Sequence, residues 1–262
     1  MILPIYQVDA FTDHLFGGNP AAVVPLENWL PAQIMQHIAA ENNLAETAFF
    51  MKELSGYRIR WFTPLAEVNL CGHATLATAH VLFHHLDFGG TVIEFQSKSG
   101  ILRVNREKEL LTLDFPADIM QEVLIPDDLV EAIGRKPLTA FKGKTDYLLV
   151  YSSQQEIAQM QPNMHKLIKT EARGVMITAP GTEVDFVSRF FAPRVGVPED
   201  PVTGSAHTSL TPYWSKRLNK PVLTAIQLSK RKGHLKLTCK GDRVEISGQA
   251  VTYLKGEIYI DS

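Results

Sequence analysis

The 262-residue chain has only two cysteines, Cys71 and Cys239, too few for a disulfide framework. It has no excess of either charge: 26 lysines and arginines face 28 acids and the formal charge is −2, which gives a nucleic acid no basic face to bind. It also lacks any apolar run near the roughly 20 residues of a membrane span, and its start, "MILPIYQVDAF", has neither a basic n-region nor a cleavage site. Low-complexity linkers are missing too. These absences favour a cytoplasmic protein acting on a small molecule, with no nucleic-acid or membrane partner. What is present, 45% hydrophobic residues over this length, is enough for one large or two ordinary domains.

Alternation and β-branched or aromatic content predict strands at "LPIYQVDAF", "AAVVPL", "ETAFFM" and "YRIRWF", and again from Thr91 to Phe115. Pro31 to Asn42 reads as a helix, with Ile34, Met35, Ile38 and Ala39 on one face. "PDDLVEAIG" reads as another, ending on Gly134, and Pro116 before it marks a domain boundary.

The second half repeats the first. "RWFTP" at Arg60 matches "RFFAP" at Arg189, 129 positions on (189 − 60), and "ETAFF" from Glu46 matches "VMITA" from Val175 at the same spacing. Each arginine motif leads to a glycine among small residues: Cys71-Gly72-His73-Ala74 in one half, Thr203-Gly204-Ser205-Ala206 in the other. Both read as helix starts, where backbone N–H groups without intrahelical acceptors and a positive macrodipole end hold an anion. A pair of them suits a small carboxylate. Either glycine alone would be read as no more than a tight turn.

Titratable groups stand beside these turns. Glu46 is a lone carboxylate in a small, apolar strand, where burial would raise its pKa toward the range useful for proton transfer; the pattern also fits an exposed acid at a strand end. His73 is equally compatible with a capping histidine, Asp200 with a turn aspartate before Pro201, and Ser205 with an N-terminal helix serine. No metal is expected: Cys71 and His73 are neighbours and His80 and His84 lie at i, i+4, but no Cys-x-x-Cys or His-Glu-x-x-His accompanies them. "VTGSAH" lacks the elbow of a serine hydrolase, and "FGGNP" is too short for a dinucleotide loop, leaving Gly18 and Asn19 as a turn near the site.

Taken together, "FGGNPAAVV", "NLAETAFF", "WFTPLAEVNLCGHATLATAHVL", "RFFAP" and "EDPVTGSAHTSLTPYW" resemble the phenazine-biosynthesis PhzF-like family, in order and over nearly the whole chain. That resemblance implies the α+β fold of diaminopimelate epimerase: two pseudo-symmetric lobes, each a curved, mostly antiparallel sheet wrapped around a central helix, with the active site between them. It places one lobe at residues 1–115, the other at 116–253, and returns a strand at about 254–262 to the first. It implies a cofactor-independent isomerase, forming a homodimer, that moves a proton between carbons of a small cyclic or unsaturated carboxylate. In the family's phenazine enzyme the glutamate of the "ET" motif moves the proton of a dihydro-hydroxyanthranilate, helped by histidine, aspartate and serine. Those positions match Glu46, His73, Asp200 and Ser205, with Gly18, Asn19, Gly72, Ala74, Thr203 and Gly204 as substrate-binding positions. Epimerase relatives use two cysteines; here Pro201 and Val202 stand where the second would fall, which disfavours a two-cysteine racemase and leaves Cys71 as a packing residue. A non-catalytic carboxylate-binding protein and a one-cysteine epimerase are the alternatives.

Overall fold

The computed structural model describes residues 1–260. Contacts divide the chain into two units: Met1–Asp114 with the chain from Ser247 onward, and Phe115–Ile246.

The first unit contains β1 (Ile2–Ala10), β2 (Asn19–Leu26), α1 (Ala32–Asn42), β3 (Glu46–Lys52), β4 (Tyr57–Phe62), β5 (Glu67–Val68), α2 (Gly72–His85), β6 (Val92–Ser97), β7 (Gly100–Glu107) and all but the last two residues of β8 (Leu110–Pro116). Strands β2 and β3 are parallel, which requires a crossover, and α1 supplies it. Its Met35 and Ala39 are buried against Ala22, Val24, Phe49 and Phe62, so two of the four face residues enter the core; Ile34 and Ile38 are half-buried at its rim. The expected strand from Thr91 to Phe115 is three antiparallel strands, turned at Gly100 and Lys108, both with positive φ.

Helix α2 is different in kind. Its sequence, GHATLATAHVLFHH, is small or apolar almost all round, and every residue from His73 to Phe83 is buried. It packs against β1, β2 and β3, whose backbones its alanines and threonines allow to come close.

The second unit contains β9 (Gln121–Val123), α3 (Asp127–Ile133), β10 (Thr139–Lys142), β11 (Asp146–Val150), α4 (Gln154–Gln159), α5 (Met164–Leu167), β12 (Gly174–Pro180), β13 (Phe186–Ala192), β14 (Val197–Asp200), α6 (Gly204–Leu218), β15 (Val222–Gln227), β16 (Gly233–Lys240) and all but the last two residues of β17 (Arg243–Gly248). Val175, Ile177, Val187 and Phe191 anchor its core. Helix α6 tolerates Pro212 in its interior because the carbonyl that loses its helical donor, that of Thr208, accepts from the Asp118 N–H at 3.1 Å instead.

The pairing order repeats. In the first unit β1 is antiparallel to β2, β2 parallel to β3, β3 antiparallel to β4, and β4 parallel to β6. In the second, β10, β11, β12, β13 and β15 follow the same order. The repeated arginine motif makes a repeated contact. Arg60 grips Glu67 at 2.8 and 2.9 Å, and Arg189 grips Glu199 at 2.7 and 3.0 Å, each a two-pronged clamp across the short hairpin before the glycine turn.

Register corrects one part of the repeat. Phe62 faces Thr47, whereas Phe191, 129 positions on (191 − 62), faces Val175, so the partner strands are related by 128 (175 − 47). "ETAFF" therefore corresponds to residues 174–178, not to "VMITA", and Glu46 corresponds to Gly174. Because side chains alternate across a strand, this single step decides which face each occupies.

A final strand, β18 (Ala250–Tyr259), lies antiparallel along β1 from Ile2 to Ala10. It begins at 250 rather than 254, and the unit boundary falls before Ser247 rather than after residue 253, because pairing with β1 extends to Ala250 and Gly248 packs against Phe11. Residues 261 and 262 of the expected strand lie outside the described residues. Among the described residues no helix is long and apolar enough to cross a membrane.

Candidate active site

At the first glycine turn, three segments converge. Glu46 opens β3 beside Ala21 of β2, with its side chain 17% exposed. His73 is the second residue of α2 and is 5% exposed. Glu46 Oε2 lies 3.2 Å from His73 Nε2. On the other side of the ring, the Asn19 carboxamide nitrogen is 3.2 Å from Nδ1. Burial pushes the His73 pKa down to about 3, so at neutral pH the ring is uncharged. An amide donor at Nδ1 leaves the ring proton on Nε2, assigned from this network, and His73 then donates to the Glu46 carboxylate. The contact is a hydrogen bond from a neutral ring, not an ion pair.

Asn19 is placed by the turn before it. Gly18 has φ +59°, and a Cβ there would come within 2.1 Å of the Ala10 carbonyl oxygen, so only glycine fits. Phe11 and Phe16 also adopt positive φ, and the Asp9 carboxylate holds the Phe16 N–H at 2.8 Å. The turn therefore carries backbone strain directly beside the histidine's amide partner.

Cys71 is the N-cap of α2, with an extended backbone and no side-chain capping bond. Its Sγ lies 3.6 Å from His73 Nδ1 and 4.0 Å from Nε2. The donor atoms of Glu46, Cys71 and His73 all fall within 4.8 Å of one another. Spacing does not reveal this cluster, because Glu46 comes from a different strand. The first-turn N–H groups of Gly72, His73 and Ala74 have no intrahelical acceptor.

The second glycine turn is braced differently. Thr203 is the N-cap of α6, and its hydroxyl donates to Asp200 Oδ2 at 2.6 Å. Fully buried Gln227, the last residue of β15, accepts the Thr203 N–H at 2.9 Å and donates to the Asp200 carbonyl at 2.7 Å. Gly204 is buried and Ser205 exposed. Behind them His207 donates from Nδ1 to the Thr203 carbonyl at 2.8 Å, and burial lowers its pKa to about 4 against the pull of that bond.

Glu46, His73, Gly72, Ala74, Gly18 and Asn19 thus gather at one helix start, and Asp200, Thr203, Gly204 and Ser205 at the other. Sequence reasoning missed Gln227, for which no motif or spacing gives a signal. The position matching Cys71 is the other N-cap, Thr203, not Pro201 or Val202; Val202 instead packs into the space beside Gly233.

The comparison with known proteins adds to this geometry. The family described as "Phenazine biosynthesis-like protein" matches residues 8–256. The chain belongs to the PhzF family. An uncharacterized isomerase of Pseudomonas aeruginosa is 51% identical over 260 residues, covering 99% of this chain and all of the relative. A PhzF-family crystal structure from Enterococcus faecalis superposes with a TM-score of 0.97 at 46% identity, covering 99% of this chain and all of that one. A hydroxyproline epimerase of Agrobacterium vitis, 9% identical and covering 100% of this chain and 93% of its own, gives a TM-score of 0.64 and shares the fold alone. This member of the PhzF family therefore has the epimerase-like α+β fold that its motifs imply.

Proposed function

We propose that this chain is an isomerase that moves a proton between two carbons of a small cyclic or unsaturated carboxylate, with Glu46 carrying the proton. The observation that supports this most is the contact between the Glu46 carboxylate and a neutral, buried imidazole at a helix start. His73 donates to one carboxylate lone pair and fixes its orientation, so that another is directed at a substrate C–H bond. Glu46 takes the proton, the C–H electron pair delocalises toward the substrate carboxylate as an enolate-like anion, and Glu46 returns the proton to a second carbon. No net proton is gained or lost.

In this reading the N–H groups of Gly72, His73 and Ala74 stabilise the developing negative charge, as an oxyanion hole does. The start of α6 is a second helix end able to hold an anion, with Asp200 held in place by Thr203 and Gln227. The relatives named as isomerases agree with this class of reaction. A second reading has one observation in its favour: Cys71 Sγ stands 3.6 Å from His73, where a thiol can act as a further proton donor.

The test is proton NMR in heavy water, with the wild-type protein and a panel of small amino, hydroxy and unsaturated ring carboxylates. Deuterium is expected to enter a substrate C–H position. Thermal stabilisation by a panel member without any exchange would contradict the enzyme reading and favour a carboxylate-binding module. Loss of exchange in Cys71→Ser, with Glu46→Gln still active, would transfer the role to the thiol.

A further inference from the structure

The cluster around His73 combines a thiol, an imidazole and a carboxylate from three different positions of the chain. We propose that Glu46, Cys71 and His73 bind a thiophilic divalent cation of the zinc class, and that the cation shuts the site off by occupying the donors that handle the proton. Sulfur and imidazole ligands select borderline-soft cations over magnesium or calcium, and the carboxylate completes a three-ligand set with a fourth position open.

The distances fit. Bond lengths of about 2.0–2.3 Å around a tetrahedral zinc ion place neighbouring ligand atoms about 3.3–3.6 Å apart. Glu46 Oε2 to His73 Nε2 is 3.2 Å, while Cys71 Sγ is 4.0 Å from the same nitrogen and 3.6 Å from Nδ1. The thiol thus lies beside the ring, and closing on a cation at Nε2 asks Cys71 to swing its sulfur by about 2 Å through a change of rotamer.

The neighbours fit as well. A ligating histidine commonly anchors its other ring nitrogen on an oxygen acceptor, and Asn19 is already at that nitrogen. Binding through Nε2 moves the ring proton to Nδ1, and rotation of the Asn19 carboxamide brings its oxygen to receive it. The cation displaces the Cys71 thiol proton, which leaves to solvent, so one proton is released for each cation bound. The other histidine group, on the far turn of α2, is occupied differently: His80 and His85 both direct Nε2 at the Thr252 hydroxyl, at 2.9 and 2.7 Å.

Loss of turnover on binding rests on Glu46 being the proton carrier; binding itself does not. Titration of the full chain with cobalt(II) reads binding alone. A thiolate-to-cobalt charge-transfer absorption saturating at one cation per chain is expected, bleached by added zinc, lost in Cys71→Ser and retained in Cys239→Ser. Glu46→Gln should weaken binding at least about tenfold. Zinc should also protect Cys71 from alkylation in the wild-type protein, a readout that does not depend on any variant folding. Absence of the absorption in the wild type, its persistence in Cys71→Ser, or alkylation of Cys71 unaffected by zinc would overturn the site. Proton exchange failing while the cobalt absorption appears would instead reject the isomerase reading and leave the metal site standing.

Discussion

The two halves of this protein build the same device, a clamped hairpin leading to a glycine at the start of a buried helix, and equip it differently. At α2 the turn is surrounded by chemistry: Glu46 on the neighbouring strand, His73 on the helix and Cys71 at the cap. At α6 the equivalent strand position is Gly174, the equivalent helix position is the exposed Ser205, and the cap is Thr203, tied to Asp200 and Gln227. Duplication of a fold does not require duplication of its chemistry. One copy can keep the proton-handling groups while the other keeps only an anion-holding backbone.

Gly174 shows how firmly that division is built in. A Cβ at this position would meet Phe190 at 2.3 Å, so the second unit has filled the space that the Glu46 side chain uses in the first. Gly174→Glu is therefore expected to overpack the second core and lower stability by about 3 kcal/mol or more, read as a fall in the urea midpoint. Unchanged stability would mean that the two strand positions are not equivalent after all.

Gln227→Leu comes next. It leaves the buried Thr203 N–H and the Asp200 carbonyl without the partner they have now, at a cost of about 2 kcal/mol, and loosens only the second helix start. The cost should appear as a fall in the urea midpoint.

The smallest effect concerns the clamps. The Arg60 hydrogen bond, opposed by burial and helped by Lys98, holds Glu67 down at about 2 from its ordinary 4.5. A depressed carboxylate stabilises the fold above its unfolded pKa and loses that contribution as pH falls through 4.5 toward 2. Arg60→Ala should thus cost about 1 kcal/mol at pH 7 and progressively less below pH 4.5, measured by urea unfolding at several pH values. A pH-independent cost would assign the arginine's role to its packing over Trp29 and Phe62 instead.

Much of this arrangement is legible in the amino-acid sequence. The strands at Glu46 and Tyr57, the helix after Pro31 and the glycine turns at 72 and 204 follow from local alternation, caps and small residues, which are short-range properties. Membership of the family follows from motif order. What is not legible is what depends on pairing between distant segments. The one-residue register step that matches Glu46 to Gly174 is set by cross-strand partners, and apolar strings of equal length give no hint of it. Gln227 looks like any strand-end amide until β15 is laid beside β13. Cys71 reads as a packing residue and is indeed buried, but its closeness to both His73 and Glu46 needs the β3–α2 geometry.

The central claim is that proton transfer belongs to the first helix start and anion holding alone to the second. Its most direct measurement is deuterium incorporation into one substrate, followed by NMR for the wild type, Glu46→Gln and Ser205→Ala side by side. Glu46→Gln should lose about 10²–10⁴-fold in kcat while still binding the substrate, and Ser205→Ala should leave kcat nearly intact. Exchange at wild-type rate in Glu46→Gln, or a collapse of kcat confined to Ser205→Ala, would contradict it.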